Sequence, residues 1–305
     1  RRRTGGGGWH SRALQQWPAV DFSGGHPGLM SDKSGPWWME DVAAEKWSLS
    51  LARTSSTVKA KTGGGARIVQ DPLGERKLPG WTRFVCFSDT SGLHGWIPAE
   101  NHPHADVLLH AGNFSRSGDP DEVESFANWL RTYPASHKVA IAGNRDFTFD
   151  RDYYHYAWSR YHPQPFNCDE AREALVDGHC CAYLEDRIVD VLGYRIYGTP
   201  WQPEFHDGAF NLTRGRDCRA AWERIPSDVD ILLTHGPPHG SGDYRSHYGS
   251  SGCEDLQKIV QQYGVPISVA GQIREGYGHT SNETTLFVNA FTVNMERRAE
   301  IDGDC

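Results

Sequence analysis

Five short polar stretches, each following an apolar run, carry the residues of this chain that could do chemistry. They are Asp89-Thr90-Ser91, Gly112-Asn113, Gly143-Asn144-Arg145-Asp146, Thr234-His235-Gly236 and Gly271-Gln272-Ile273-Arg274. Asp89 offers a carboxylate and His235 an imidazole, side chains that ligate metals or move protons. Asn113, Asn144 and Gln272 are neutral amides, each with a single weak oxygen donor. Arg145 and Arg274 can neither deprotonate nor coordinate a metal, but two guanidiniums can hold a phosphate without one. Asn211 and Arg214 are further candidates for the mouth of the same pocket.

The elements that would position these stretches follow from periodicity. Residues 83–87, 106–110 and 138–142 read as apolar strands, and 122–132 as an amphipathic helix with Val123, Phe126, Trp129 and Leu130 on one face. This is β–α–β alternation with a polar loop after each strand. Helices are expected at 152–161, 169–176, 218–224 and 253–263. Strands are expected at 187–192, 194–197, 231–233, 267–270 and 285–289. Sites in α/β sheets form at the carboxyl ends of strands, where all five stretches lie.

In their order, the five stretches resemble the motifs of the calcineurin-like metallophosphoesterases: Asp-x-His, Gly-Asp, Gly-Asn-His-[Asp/Glu], a lone His after a strand, and Gly-His-x-His. Tyr197-Gly198-Thr199-Pro200-Trp201, Phe210-Asn211-Leu212, Thr234-His235-Gly236-Pro237-Pro238 and Glu275-Gly276-Tyr277-Gly278 are similar to the metallophosphoesterase-domain-containing (MPPED-type) branch. The resemblance spans residues 81–295. It implies a two-sheet α/β metallophosphoesterase sandwich flanked by helices, with an extended N-terminal arm outside it. It also implies a dinuclear metal site of seven ligands and a catalytic His.

Residue by residue, most of that site is altered. Asp89, Asn144 and His235 match, but Ser91 stands for the first His and Asn113 for the bridging Asp. Arg145 stands for the catalytic His, and Gln272 and Arg274 for the last two histidines. One carboxylate, three amides, an imidazole and two cations are a poor cradle for two divalent ions, and Arg145 is no general acid because its pKa exceeds about 12. The expectation is therefore a metal-free and cofactor-free pseudoenzyme. Arg274 would pair with Asp89 in place of a metal. Replacement donors from His94, His110 or His279 would restore a residual phosphodiesterase. A metal-independent phosphate or nucleotide site built on Arg145 and Arg274 is the other alternative.

Composition adds a second theme. The 305 residues are 38% hydrophobic and 23% charged, with a net charge of −8, an ordinary globular balance that excludes wholesale disorder. No apolar run approaches the ~18 residues of a membrane-spanning helix. Seven cysteines without a CxxC pair point to free thiols. Residues 1–80 carry a net charge of +5 and residues 81–305 a net charge of −13. The reading is thus an arm, 1–80, and a body, 81–305. One helix, from Pro36 to about Leu51, and a flexible Gly63-Gly64-Gly65 break are expected within the arm. Trp9, Trp17, Trp37 and Trp38 would anchor it to other protein subunits of a larger assembly, with RNA phosphate the less favoured partner. The basic, glycine-rich opening from Arg1 fits a chain processed on import into mitochondria, and a cytoplasmic location is the alternative.

Overall fold

The structure, a computed structural model, describes residues 48–52, 66–69, 71–176 and 179–292. Trp9, Trp17, Trp37, Trp38 and the Gly63-Gly64-Gly65 break lie outside the described residues. The first sheet holds β1 (Ser48–Ala52), β2 (Ala66–Ile68), β3 (Trp81–Phe87), β4 (Ala105–Ala111), β5 (Ala135–Ile141) and β6 (Ala182–Tyr183), in the order β2-β1-β3-β4-β5-β6. From β3 to β6 the pairing is parallel, while β1 runs antiparallel to both β3 and β2. The second sheet begins with β7 (Arg187–Val191) and β8 (Tyr194–Thr199). A parallel two-residue pair, β9 (Gln202–Pro203) and β10 (Asn211–Leu212), follows at its rim. After β11 (Ile231–Thr234) comes a small hairpin of β12 (Tyr244–Arg245) and β13 (Gly249–Ser250). Then β14 (Ile267–Ala270), β15 (Gly278–Ser281) and β16 (Leu286–Asn289) complete a sheet ordered β15-β16-β14-β11-β8-β7.

Strand alternation makes four layers. Phe84, Cys86, Val107, Leu109, Val139 and Ile141 of the first sheet pack against Ile196, Ile231, Leu233, Ile267, Val269 and Val288 of the second. The intervening residues point outward under helices, because successive side chains leave a strand on opposite faces. Val85, Phe87 and Leu108 lie under α1 (Pro120–Thr132), with α2 (Arg151–Ala157) and α3 (Cys168–Val176) completing that layer. Tyr197, Leu232 and Phe287 lie under α4 (Arg216–Trp222) and α5 (Glu254–Tyr263). The expected two-sheet α/β sandwich with outer helices is what the chain forms.

Caps set the helix boundaries. Asp119 accepts the Asp121 amide at 2.8 Å, Pro120 opens α1, and Asp121 and Glu122 complement the positive end of its dipole. Gly264 ends α5 in the left-handed conformation at φ 60°. Among the described residues no helix is long and apolar enough to cross a membrane.

The segment assigned to the arm is corrected in two places. Residues 48–52 form a strand rather than the end of a helix, with Leu49 opposite Phe84 and Leu51 opposite Thr82. Ser-Leu-Ser-Leu-Ala alternates with period two, and the free edge of β3 offers backbone groups to pair with. The sheet therefore starts well before residue 81. Residues 71–76 also fold onto it: the buried Arg83 guanidinium donates to the carbonyls of Pro72 and Glu75, at 3.4 and 2.8 Å.

Candidate functional site

The ends of β3, β4, β5, β11 and β14 converge, and with them Asp89, Asn113, Asn144, His235 and Gln272. The chain must turn sharply at these points. Asp89, Ser91, Asn113 and Gln272 all adopt left-handed backbone, at φ 55°, 47°, 54° and 62°. Asn and Asp tolerate that region, whereas Ser and Gln are held in it at a cost of about 1–2 kcal/mol each. Gly112, at φ 94°, has no room for a side chain: a Cβ there would sit 2.7 Å from His235 Nδ1.

At the centre is a hydrogen-bonded chain. Asn113 Nδ2 donates to Asp89 Oδ1 at 2.8 Å and to Asn144 Oδ1 at 3.0 Å. His235 Nε2 lies 3.0 Å from the same Asn144 oxygen, and His235 Nδ1 lies 2.7 Å from the Ala111 carbonyl. Both ring nitrogens thus face carbonyl oxygens. The other Asp89 oxygen accepts from Ser88 Oγ and from the Gln272 backbone amide, both at 2.7 Å. Gln272 turns its side-chain amide away, to Gln202 Oε1 at 2.5 Å. Asp89, Asn113 and His235 are buried, and Asn144 is half-buried.

A second carboxylate braces the loops from beneath. Asp146 accepts the amides of Asn113 and Gly143, at 2.9 and 2.8 Å, on one oxygen. Its other oxygen accepts the Ser115 amide at 2.9 Å and the Ser115 hydroxyl at 2.6 Å. Burial pushes its pKa up to about 7, against the opposing pull of these four donors. Asp146, Ser88 and Gln202 were not among the expected site residues. Asp146 was visible in its motif, but nothing in the sequence says that it faces inward.

The remaining candidates lie apart from the chain. Ser91 is buried beside it and donates its backbone amide to the Asn113 carbonyl at 2.9 Å. Arg145 is exposed; its backbone amide donates to Asn113 Oδ1 at 2.8 Å, while its guanidinium turns to the Arg116 carbonyl at 3.2 Å. Arg274 starts a single 3₁₀ turn, Arg274–Gly276, beyond Gln272. The expected Arg274–Asp89 ion pair is not among those of the described residues; hydrogen bonds from Ser88, Asn113 and Gln272 satisfy the carboxylate. Arg214 is pinned to the Ser251 and Gly252 carbonyls, at 2.8 and 2.9 Å, and Asn211 braces the Gln202–His206 turn. His94 and His110 are buried on the helix side of the first sheet, where both pack edge-on against Phe126. His279 is exposed on β15.

The family model for calcineurin-like phosphoesterases matches residues 83–271. The chain belongs to that family. It is similar to Metallophosphoesterase domain-containing protein 1 of Homo sapiens, 42% identical over 72% of this chain and 69% of that protein, which puts it in the MPPED-type branch. A UPF0046 protein of Caenorhabditis elegans is 36% identical over 71% of this chain and 57% of its own length. Among solved structures, the phosphopantetheinyl hydrolase PptH of Mycobacterium tuberculosis superposes with a TM-score of 0.49 at 14% identity, over 72% of this chain and 92% of that one.

Calcineurin-like phosphoesterases work with two divalent metals, and the donor set of this member does not fit them. Asp89 is the only carboxylate at the ligand positions, and both its oxygens already accept hydrogen bonds. An amide NH₂ projects from Asn113 where a bridging oxygen would be needed. Among the described residues no group of three or more His, Cys, Asp or Glu is placed to hold a metal ion.

Proposed function

We propose that this chain is a catalytically inactive calcineurin-like phosphoesterase that serves as a structural or accessory subunit of a larger protein assembly. One observation carries the reading. The Asp89 carboxylate is already engaged on both oxygens, Oδ1 by the Asn113 amide and Oδ2 by the Ser88 hydroxyl and the Gln272 backbone amide, so a metal or a water would have to compete with these donors for it. Arg145, at the position of the proton donor, carries a charge it cannot release. Metal-activated hydroxide and general-acid help to the leaving group together supply most of what such a reaction needs. What remains is a rigid scaffold with a basic N-terminal segment.

The part of the N-terminal segment that precedes β1 contributes the interaction element, with Trp9, Trp17, Trp37 and Trp38 as anchors for other protein subunits. An organelle such as the mitochondrion is the proposed setting. The test of inactivity is hydrolysis of bis-p-nitrophenyl phosphate with Mn²⁺ or Zn²⁺ present. No turnover above buffer is expected, and a metal-dependent rate at or above that of an active family member overturns the reading. The test of assembly is purification from native extract, where recovery at fixed stoichiometry in a large complex supports it and a monomer eluting alone opposes it.

A further inference from the structure

Every polar atom of Asn113 is in use. Its backbone amide donates to Asp146 at 2.9 Å, and its carbonyl accepts the Ser91 amide at 2.9 Å. Its side-chain oxygen accepts the Arg145 amide at 2.8 Å. That bond settles which way round the amide lies, because only oxygen can accept there. The NH₂ group is therefore the atom turned toward Asp89 Oδ1 and Asn144 Oδ1, at 2.8 and 3.0 Å, one hydrogen to each. Asn144 Oδ1 also meets His235 Nε2 at 3.0 Å. Two oxygen acceptors from different strand ends thus converge on one nitrogen. Through Asn144 and His235 the link continues from the first sheet to the second.

We infer that the Asn113 side-chain amide occupies the place of a cation in this site, joining the two sheets by hydrogen bonds and keeping divalent metals out. Oxygens that converge at hydrogen-bond distance repel one another unless something positive lies between them. A metal ion is one solution, and two amide hydrogens are another. Asp at this position would be isosteric but could donate nothing. It would set a second carboxylate against Asp89 and leave Asn144 Oδ1 facing an acceptor. That arrangement asks for a cation, and with Asp89, Asn144 and His235 alongside it supplies donors that suit Mn²⁺ or Zn²⁺. Exclusion of metal would then depend on one nitrogen atom. Glutamine would not substitute, because its longer stem would move the amide off the line between Asp89 and Asn144. This inference rests on the reading of an inactive site, but its test is separate.

The experiment is thermal unfolding of the full chain in EDTA and in millimolar Mn²⁺ or Zn²⁺. The wild-type midpoint is expected to be the same in all three. Asn113→Asp is expected to melt roughly 5–10 °C lower in EDTA, from the lost bonds and the opposed charges, and to recover at least half of that in Mn²⁺. Asn113→Ala should melt lower and show no response to metal. If Asn113→Asp does not fold in EDTA, its recovery on refolding from denaturant in Mn²⁺ replaces the melting comparison. The inference is overturned if the wild type itself shifts with metal or chelator. It is equally overturned if Asn113→Asp melts like the wild type, or stays low or unfolded whatever metal is added. A wild type that gains stability from Mn²⁺ yet hydrolyses nothing would remove this inference and leave the inactive reading standing. A wild type indifferent to metal that hydrolyses phosphodiesters in EDTA would do the reverse.

Discussion

Asp146 Oδ2 accepts the backbone amide of Asn113 at 2.9 Å, tying the loop after β5 to the loop after β4. With Gly143 and Ser115 also donating, a single buried carboxylate organises three backbone positions under the site. Asp146→Asn keeps the shape but offers one acceptor to donors that now address two. A loss of about 2–4 kcal/mol is expected in urea unfolding, because buried donors are left unmet. A loss under about 0.5 kcal/mol would show that these bonds do not brace the loops.

The same carboxylate has a signature in pH. Its folded pKa, raised to about 7 from 3.8, lies above the unfolded value, so the folded state holds the extra proton between those limits. Its contribution to stability therefore falls as pH rises through that window. Asp146→Asn should remove this falling component, and the measured profile should rise more steeply with pH than that of the wild type. An unchanged slope would contradict the assignment.

His94 and His110 act in the opposite sense. Burial lowers His94 from 6.5 to about 4 and holds His110 well below 6.5. The unfolded chain takes up protons there that the folded chain refuses, so stability rises with pH from about 4 to about 6.5 and is flat above that range. For His94 alone the rise is about 3 kcal/mol. His94→Gln, able to keep the bond to Ser125 Oγ, should flatten the profile in that range; an undiminished rise would show that other groups carry it.

Cys253 caps α5 with sulfur. Its Sγ receives the Leu256 amide at 3.5 Å and the Trp222 indole N–H at 3.2 Å, and the neighbouring Cys218 thiol together with these donors holds its pKa below the ordinary thiol value. Cys253→Ala should cost about 1–2 kcal/mol in unfolding experiments, the usual worth of a helix cap, and Cys253→Ser should cost less. Equal losses in the two variants would show that volume, not the bonds to sulfur, is what matters.

The N-terminal boundary can be tested by truncation. A chain beginning at residue 66 lacks β1 and leaves the edge of β3 open, so it should aggregate or lose cooperative unfolding. A chain beginning near residue 46 keeps β1 and should unfold as the full chain does. Indistinguishable melting of the two would mean that β1 adds nothing to the sheet.

Much of the architecture was legible in the sequence. The apolar runs ending in Asp89, Asn113, Asn144, His235 and Gln272 mark five strand ends, and parallel strands deliver such ends to one edge. The departures from the family's motifs at Ser91, Asn113, Arg145, Gln272 and Arg274 could be read directly as residue types. β1 was not legible, because five alternating residues inside a Gly- and Ser-rich stretch become a strand only when another strand offers an edge. The partner of Asp89 was not legible either. Charge alone favoured Arg274, but the backbone turn at Gln272 brings an amide to the carboxylate first. The orientation of Asn113 was decided only by tertiary structure. A side-chain amide offers a donor and an acceptor in nearly the same volume, and the Arg145 amide, from another strand end, determines which of them faces Asp89.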